Sequence, residues 1–130
     1  MRFAITIHTP VCDLLAIKHP VIGAGMSGTA TADLSAAVSN AGGLGTIGGI
    51  TNGGADWLST EIQRCRRLTD APFSINLWLH IDHALPPYID ACLAEGVHSL
   101  TLSFGDPTPH VAPLQDAGII VIHQAQTLAG

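Results

Sequence analysis

Two stretches of this 130-residue chain have residue types and spacings that could support chemistry. The first is Gly23-Ala24-Gly25-Met26-Ser27-Gly28. Its glycines occupy G-x-G-x-x-G positions between a predicted strand and a predicted helix, a pattern that can bring backbone amides against a dinucleotide phosphate. That fingerprint also needs an acidic residue near the end of the next strand. Leu44-Gly45-Thr46-Ile47-Gly48-Gly49 supplies none, which argues against a Rossmann NAD site. Two readings of the glycines stay open: backbone at Gly25-Met26 approaching a flat ligand, or tight strand–helix packing.

The second stretch is His80-Ile81-Asp82-His83, where two imidazoles and a carboxylate could form a metal site or an acid–base pair. It runs into Pro86-Pro87 and reads more simply as a solvated turn, so no metal is expected. His98 and His110 have no supporting partner in the sequence. Cys12, Cys65 and Cys92 are odd in number and widely spaced, with no C-x-x-C pair, and are expected to be free thiols in a reducing compartment.

The elements that must position these groups recur at a near-constant interval. Apolar runs of strand length occur at Val21 to Gly25, Leu44 to Ile47, Phe73 to Leu79, Val97 to Phe104 and Ile119 to Ile122. Between them lie helical patterns. Leu34, Ala37, Val38 and Ala41 form a stripe that starts after Thr31 as N-cap and stops at Gly42-Gly43; Leu58, Ile62 and Cys65 form a second, ending before Pro72. A third helix opens at Pro86 or Pro87 with Ile89, Cys92, Leu93 and Gly96 on one face, and a fourth opens at Thr108-Pro109 and closes at Gly118. Strand followed by helix, repeated, predicts an α/β fold with parallel strands and right-handed crossovers.

Side-chain parity separates the two architectures that share this arithmetic. Strands of an open parallel sheet are covered on both faces and read as continuous apolar runs. Here Phe73, Ile75, Leu77 and Leu79 alternate with Ser74, Asn76 and Trp78, and Val97, Ser99, Thr101 and Ser103 alternate with His98, Leu100, Leu102 and Phe104. Gln124 and Gln126 continue the polar parity, while His123 should point toward helices or solvent. Strands polar on one side fit the lumen of a (β/α)8 barrel holding a polar ligand. A receiver domain of similar length would need clustered acidic residues at early strand ends and a Lys after the fifth strand, where Gln124 and Gln126 stand instead.

Composition closes off other classes. An apolar fraction of 47% against 12% charged residues excludes disorder, and a formal net charge of −5 disfavours nucleic acid and anionic lipid as partners. The interval from Asp33 to Asp56 has no charge, but its glycines and polar residues are wrong for a lipid-facing helix. The N-terminus is too short and too polar for a signal peptide, so a cytoplasmic protein is expected.

Several blocks together resemble the nitronate monooxygenase family, formerly called 2-nitropropane dioxygenase. They are Thr9-Pro10-Val11-Cys12-Asp13-Leu14-Leu15, His19-Pro20-Val21-Ile22, Ala24-Gly25-Met26, Ala36-Ala37-Val38-Ser39-Asn40-Ala41-Gly42-Gly43-Leu44-Gly45 and Pro72-Phe73-Ser74-Ile75-Asn76-Leu77. The resemblance runs from Thr9 to the last residue. It implies an FMN-dependent barrel enzyme that oxidises alkyl nitronates with oxygen, related to the FMN-containing enoyl-[acyl-carrier-protein] reductases. It also implies that Gly25 and Met26 lie beside the flavin, that Asn76 hydrogen-bonds it, and that at least one of Gln124 and Gln126 reaches it.

No catalytic residue is implied within the chain. The family's His lies beyond the fifth strand and its phosphate loops follow the seventh and eighth, whereas this sequence runs only to Leu128-Ala129-Gly130. The expectation is therefore a single incomplete barrel domain over residues 1–130, about five N-terminal βα units, acting on a small-molecule substrate and self-associating through exposed barrel edges. The rival expectations are enoyl reduction and a catalytically inactive truncated α/β module that binds no flavin.

Overall fold

Residues 6–128 are described by a computed structural model. Its elements run α1 (Pro10–Leu15), α2 (Ala32–Asn40), β1 (Gly45–Gly48), α3 (Gly54–Leu68), β2 (Phe73–Trp78), a 3-10 turn (Leu79–Ala84), α4 (Pro86–Glu95), β3 (Ser99–Ser103), α5 (Thr108–Asp116) and β4 (Ile120–Gln124). The strands form one parallel sheet in the order β1-β2-β3-β4, each joined to the next by a helix.

The predicted strand at Val21 to Gly25 is absent as a strand. It contributes one parallel bridge, Ile22 to Leu44, held by Gly23 N–H on the Leu44 carbonyl at 2.8 Å and Leu44 N–H on the Val21 carbonyl at 2.9 Å. Glycines at 23 and 25 leave this run little side chain to pack, and from Gly25 the chain turns across the sheet to lie against Asn76. The predicted third strand likewise ends one residue early, at Trp78, with Leu79 opening the 3-10 turn.

Register divides the sheet into two faces. Ile47, Ile75, Leu100 and Val121 pair across the strands and meet α3, α4 and α5 through Leu58, Ile62, Cys65, Cys92 and Leu114 in the main core. The other face pairs Thr46, Ser74 and Ser99, then Gly48, Asn76 and Thr101, then Trp78, Ser103 and Gln124. That polar face is what parity predicted, and it is the lumen side of a partial (β/α)8 barrel. Helix α1, which periodicity did not reveal, packs Cys12 and Leu15, with Ile17 just beyond its end, on Leu44, Ile120 and Ile122, closing the N-terminal end of this face with apolar side chains.

Helix α2 presents a different face from the one its stripe suggests. Ala32, Ser35, Ala36 and Ser39 are buried, whereas Leu34, Ala37 and Ala41 are exposed and Val38 is half-buried. Small side chains win here because the helix lies almost on the backbone of β1, as the crowding of Gly45 by Ser35 shows. Thr31 occupies the N-cap position without a side-chain cap; Glu61 of α3 supplies the oxygen, its Oε2 accepting Ala32 N–H at 2.8 Å. On α4, Cys92 is buried as expected, but Tyr88 shares that burial, Leu93 is exposed, and Gly96 is the left-handed C-cap.

Ser39 and Asn40 tie two separated sequence blocks together. Ser39 Oγ accepts Gly45 N–H at 3.0 Å and donates to the Pro72 carbonyl at 2.8 Å, while Asn40 Nδ2 donates to the Leu68 carbonyl and its Oδ1 accepts Thr69 Oγ1–H. These bonds lock the end of α2 to the start of β2.

The three cysteines are free and buried. Burial pushes the Cys65 thiol from its ordinary 9.0 to about 11, and Cys92 to about 12. Both pKa values are higher folded than unfolded, so the unfolded state loses its protons first. Stability is then level with respect to these thiols below about pH 8 and falls as pH rises from 9 toward 12. Urea midpoints at pH 7, 8 and 10 test this: a midpoint at pH 10 equal to that at pH 7 contradicts it. At pH 8 the native thiols should also react with a disulfide reagent far more slowly than they do in denaturant.

Among the described residues no helix is long and apolar enough to cross a membrane.

Candidate functional site

At the C-terminal end of the strands the polar face opens into a groove of about 550 Å3, a size that suits a small-molecule ligand. Its lining brings together Gly25, Met26, Asn76 and Gln124, four of the five residues singled out from the sequence. Gln126 is exposed beyond the end of β4 and does not line the groove.

Asn76 sits at the centre. It is 6% exposed, and the ideal Cβ position on Gly25 lies only 2.2 Å from its Cβ, so the glycine chain rests directly on this side chain. Both readings of that glycine thus meet in one place: packing here is tight, and the backbone beside the groove stays bare. The Asn76 amide donates to the Thr101 carbonyl at 3.2 Å and to Ser103 Oγ at 2.9 Å. Ser103 Oγ–H in turn donates to Gln124 Oε1 at 3.1 Å. These bonds run across β2, β3 and β4 and decide what each amide has left to offer: Asn76 retains its Oδ1 acceptor, and Gln124 retains its Nε2 donors.

Two buried hydroxyls of the lining, Ser27 Oγ and Thr46 Oγ1, have no hydrogen-bond partner among the described residues. Buried polar atoms are seldom left unpaired, so a lining carrying two of them suits a polar ligand. Sequence reasoning missed both. Ser27 hides inside the glycine motif, and Thr46 lies on a strand too short to display its parity.

The rim is aromatic. The Trp78 and His80 rings stack at 5.7 Å between centroids, and Phe104 stands edge-on to both at 6.4 and 5.8 Å. Phe104 has φ of 60°, a left-handed conformation uncommon for a side chain of this kind, at the end of β3. The turn that follows is held by Asp106, whose carboxylate is kept below the usual carboxylate range by Thr108, first through its side-chain hydroxyl and then through its N–H, which donates at 2.9 Å.

The histidines divide. His80 stacks on Trp78 at the rim and His83 is exposed on the 3-10 turn, where the sequence suggested a loop. His98, expected to lack a partner, donates Nε2–H to the Leu15 carbonyl at 3.0 Å, pinning the end of α1 to β3. His123 donates Nδ1–H to the Leu102 carbonyl and pairs with Leu102 in register, yet it also contributes to the lining of the groove, where alternation had it facing helices or solvent. Among the described residues no three His, Cys, Asp or Glu side chains converge to hold a metal.

Comparison with known proteins agrees with this geometry. The sequence profile of the nitronate monooxygenase family matches residues 8–107. A probable nitronate monooxygenase of Staphylococcus saprophyticus is 35% identical over 76% of this chain and 37% of its own length. A nitronate monooxygenase of Pseudomonas aeruginosa is 41% identical over 74% of this chain and 27% of its own. The structure of FabK from Thermotoga maritima superposes with a TM-score of 0.84 at 39% identity, covering 91% of this chain and 37% of FabK. The chain therefore spans well under half the length of these relatives, and over that span it belongs to the nitronate monooxygenase family.

Proposed function

We propose that the chain carries the flavin-ring side of an FMN-dependent oxidoreductase that oxidises alkyl nitronates with oxygen, and that residues 1–130 act as one structural unit. The observation that supports this best is the acceptor–donor pair left free by the Asn76–Ser103–Gln124 chain. A free acceptor on one strand and free donors on another complement the N–H and C=O groups on the polar edge of an isoalloxazine ring.

Gly25 and Met26 offer backbone against the ring plane, Ser27 and Thr46 offer unpaired hydroxyls, and Gln124 rather than Gln126 makes the strand-end contact. Bound FMN would supply the electron acceptor for the nitronate anion. The protein's own part is to orient the ring, to hold its polar edge and to exclude water with Trp78 and Phe104. The likeness to FabK favours enoyl reduction as the second reading, with the same flavin contacts.

Exposed Val21, Ile22 and Phe104 at the edges and rim of the sheet also favour self-association of the isolated chain in the cytoplasm.

Visible spectroscopy after gel filtration tests the reading. The purified chain mixed with FMN should elute with flavin absorbance, and Asn76→Ala should lower FMN affinity by about tenfold, the loss of one well-placed hydrogen bond. A colourless wild-type chain that FMN titration leaves unchanged overturns it.

A further inference from the structure

A second groove adjoins the first and is lined by Ser27, Thr31, Ile50, Asn52, Trp57 and Trp78. Ser27 and Trp78 belong to both linings, so the two grooves share one indole ring and one unpaired hydroxyl. No charged residue lines the second groove, which makes it a poor seat for a phosphate or carboxylate. Its lining includes the only two tryptophans of the chain, Trp57 from the first turn of α3 and Trp78 from the end of β2, together with Ile50. Tryptophan pairs of this kind bury large apolar area at small conformational cost.

We infer that this groove takes the neutral, apolar tail of the substrate whose reacting end lies in the first groove, so that the chain selects elongated alkyl substrates over short ones. The inference rests on the proposed function for the position of the reacting end. The groove itself stands without it: an uncharged trough, lined by two indoles and sharing Trp78 and Ser27 with the polar groove, fits a hydrocarbon chain attached to a polar head.

Because both tryptophans line the groove, intrinsic fluorescence reports on it directly. Titration of the chain with ethanol, 1-hexanol and 1-octanol should give saturable fluorescence changes, with 1-octanol binding about tenfold more tightly than 1-hexanol, at three- to fourfold per buried methylene. Asn52→Phe places a ring in the trough from an exposed position that the fold does not depend on, and should abolish the 1-octanol response. Trp57→Ala should weaken it and remove most of the signal change.

Affinity independent of chain length, or an Asn52→Phe chain that binds 1-octanol as the wild type does, overturns the inference. FMN absorbance read on the same samples keeps the two proposals apart. Flavin bound without length dependence overturns the tail groove alone, and length dependence in a chain that leaves FMN free overturns the flavin reading alone.

Discussion

Gly45→Ala is expected to lower the urea midpoint more than any other single methyl group added to the sheet. The ideal Cβ at Gly45 would lie 1.9 Å from the Ser35 carbonyl oxygen, 2.5 Å from its carbon and 2.7 Å from its Cα. All three are backbone atoms, so no side-chain rotation relieves the clash; α2 or β1 must move. Neither moves freely. Ser39 Oγ joins Gly45 N–H to the Pro72 carbonyl, Asn40 holds Leu68 and Thr69, and Glu61 caps the other end of the helix at Ala32.

A shift large enough to admit a methyl group therefore adds broken hydrogen bonds, about 1 kcal/mol each, to an overpacking cost of about 1–3 kcal/mol. The sum, on the order of 3–5 kcal/mol, is a large share of the stability of a domain this size. Ser39→Ala is the companion variant: it removes the bridging hydroxyl without adding volume and should cost less. A Gly45→Ala chain with the wild-type midpoint contradicts the close approach of α2.

The same crowding explains where sequence patterns were informative and where they were not. Period-two alternation on β2 and β3 was legible because each strand is long enough to repeat, and Ser74, Asn76, Thr101 and Ser103 do share the lumen face. The stripe on α2 pointed the wrong way because hydrophobicity is a proxy for burial only when a helix stands off at ordinary distance. Against a glycine strand, the face that fits is the one with the least volume, and Ser35 and Ser39 are buried ahead of Leu34.

The glycine run at Gly23 to Gly28 looked like a strand followed by a turn, yet it keeps one bridge and then lies over Asn76, a contact no local pattern encodes. Caps were hidden for a related reason: Glu61 reaches Ala32 across 29 positions, and His98 reaches Leu15 across 83. At the candidate site, Gly25, Met26, Asn76 and Gln124 were singled out from the sequence and line one groove. What each amide can still donate or accept was not legible, because that depends on Ser103 and Thr101 from the neighbouring strand.

The contact between Gly25 and Asn76 leads to the second large effect, best measured as a double-mutant cycle. In Gly25→Ala the new Cβ would stand 2.2 Å from Asn76 Cβ and 2.8 Å from its Cγ. Asn76 is held by Thr101 and Ser103, so either the 23–28 segment lifts from the sheet or the amide breaks both bonds and turns away. Each response withdraws the Oδ1 acceptor or the bare backbone from the groove. FMN affinity should then fall by at least about tenfold, with stability lower by about 1–3 kcal/mol. Asn76→Gly alone should also weaken both, since it deletes the amide and leaves a glycine in a strand interior.

The double variant separates space from chemistry. With no side chain at position 76, the methyl group at position 25 has room, and Gly25→Ala/Asn76→Gly should be more stable than the two single effects predict. A coupling of about 1–3 kcal/mol is expected for residues in such direct contact. Flavin affinity should not recover with it, because the amide that presents the acceptor is gone. Additive stabilities in the cycle contradict the packing contact, and a Gly25→Ala chain that binds FMN like the wild type removes Gly25 from the flavin site.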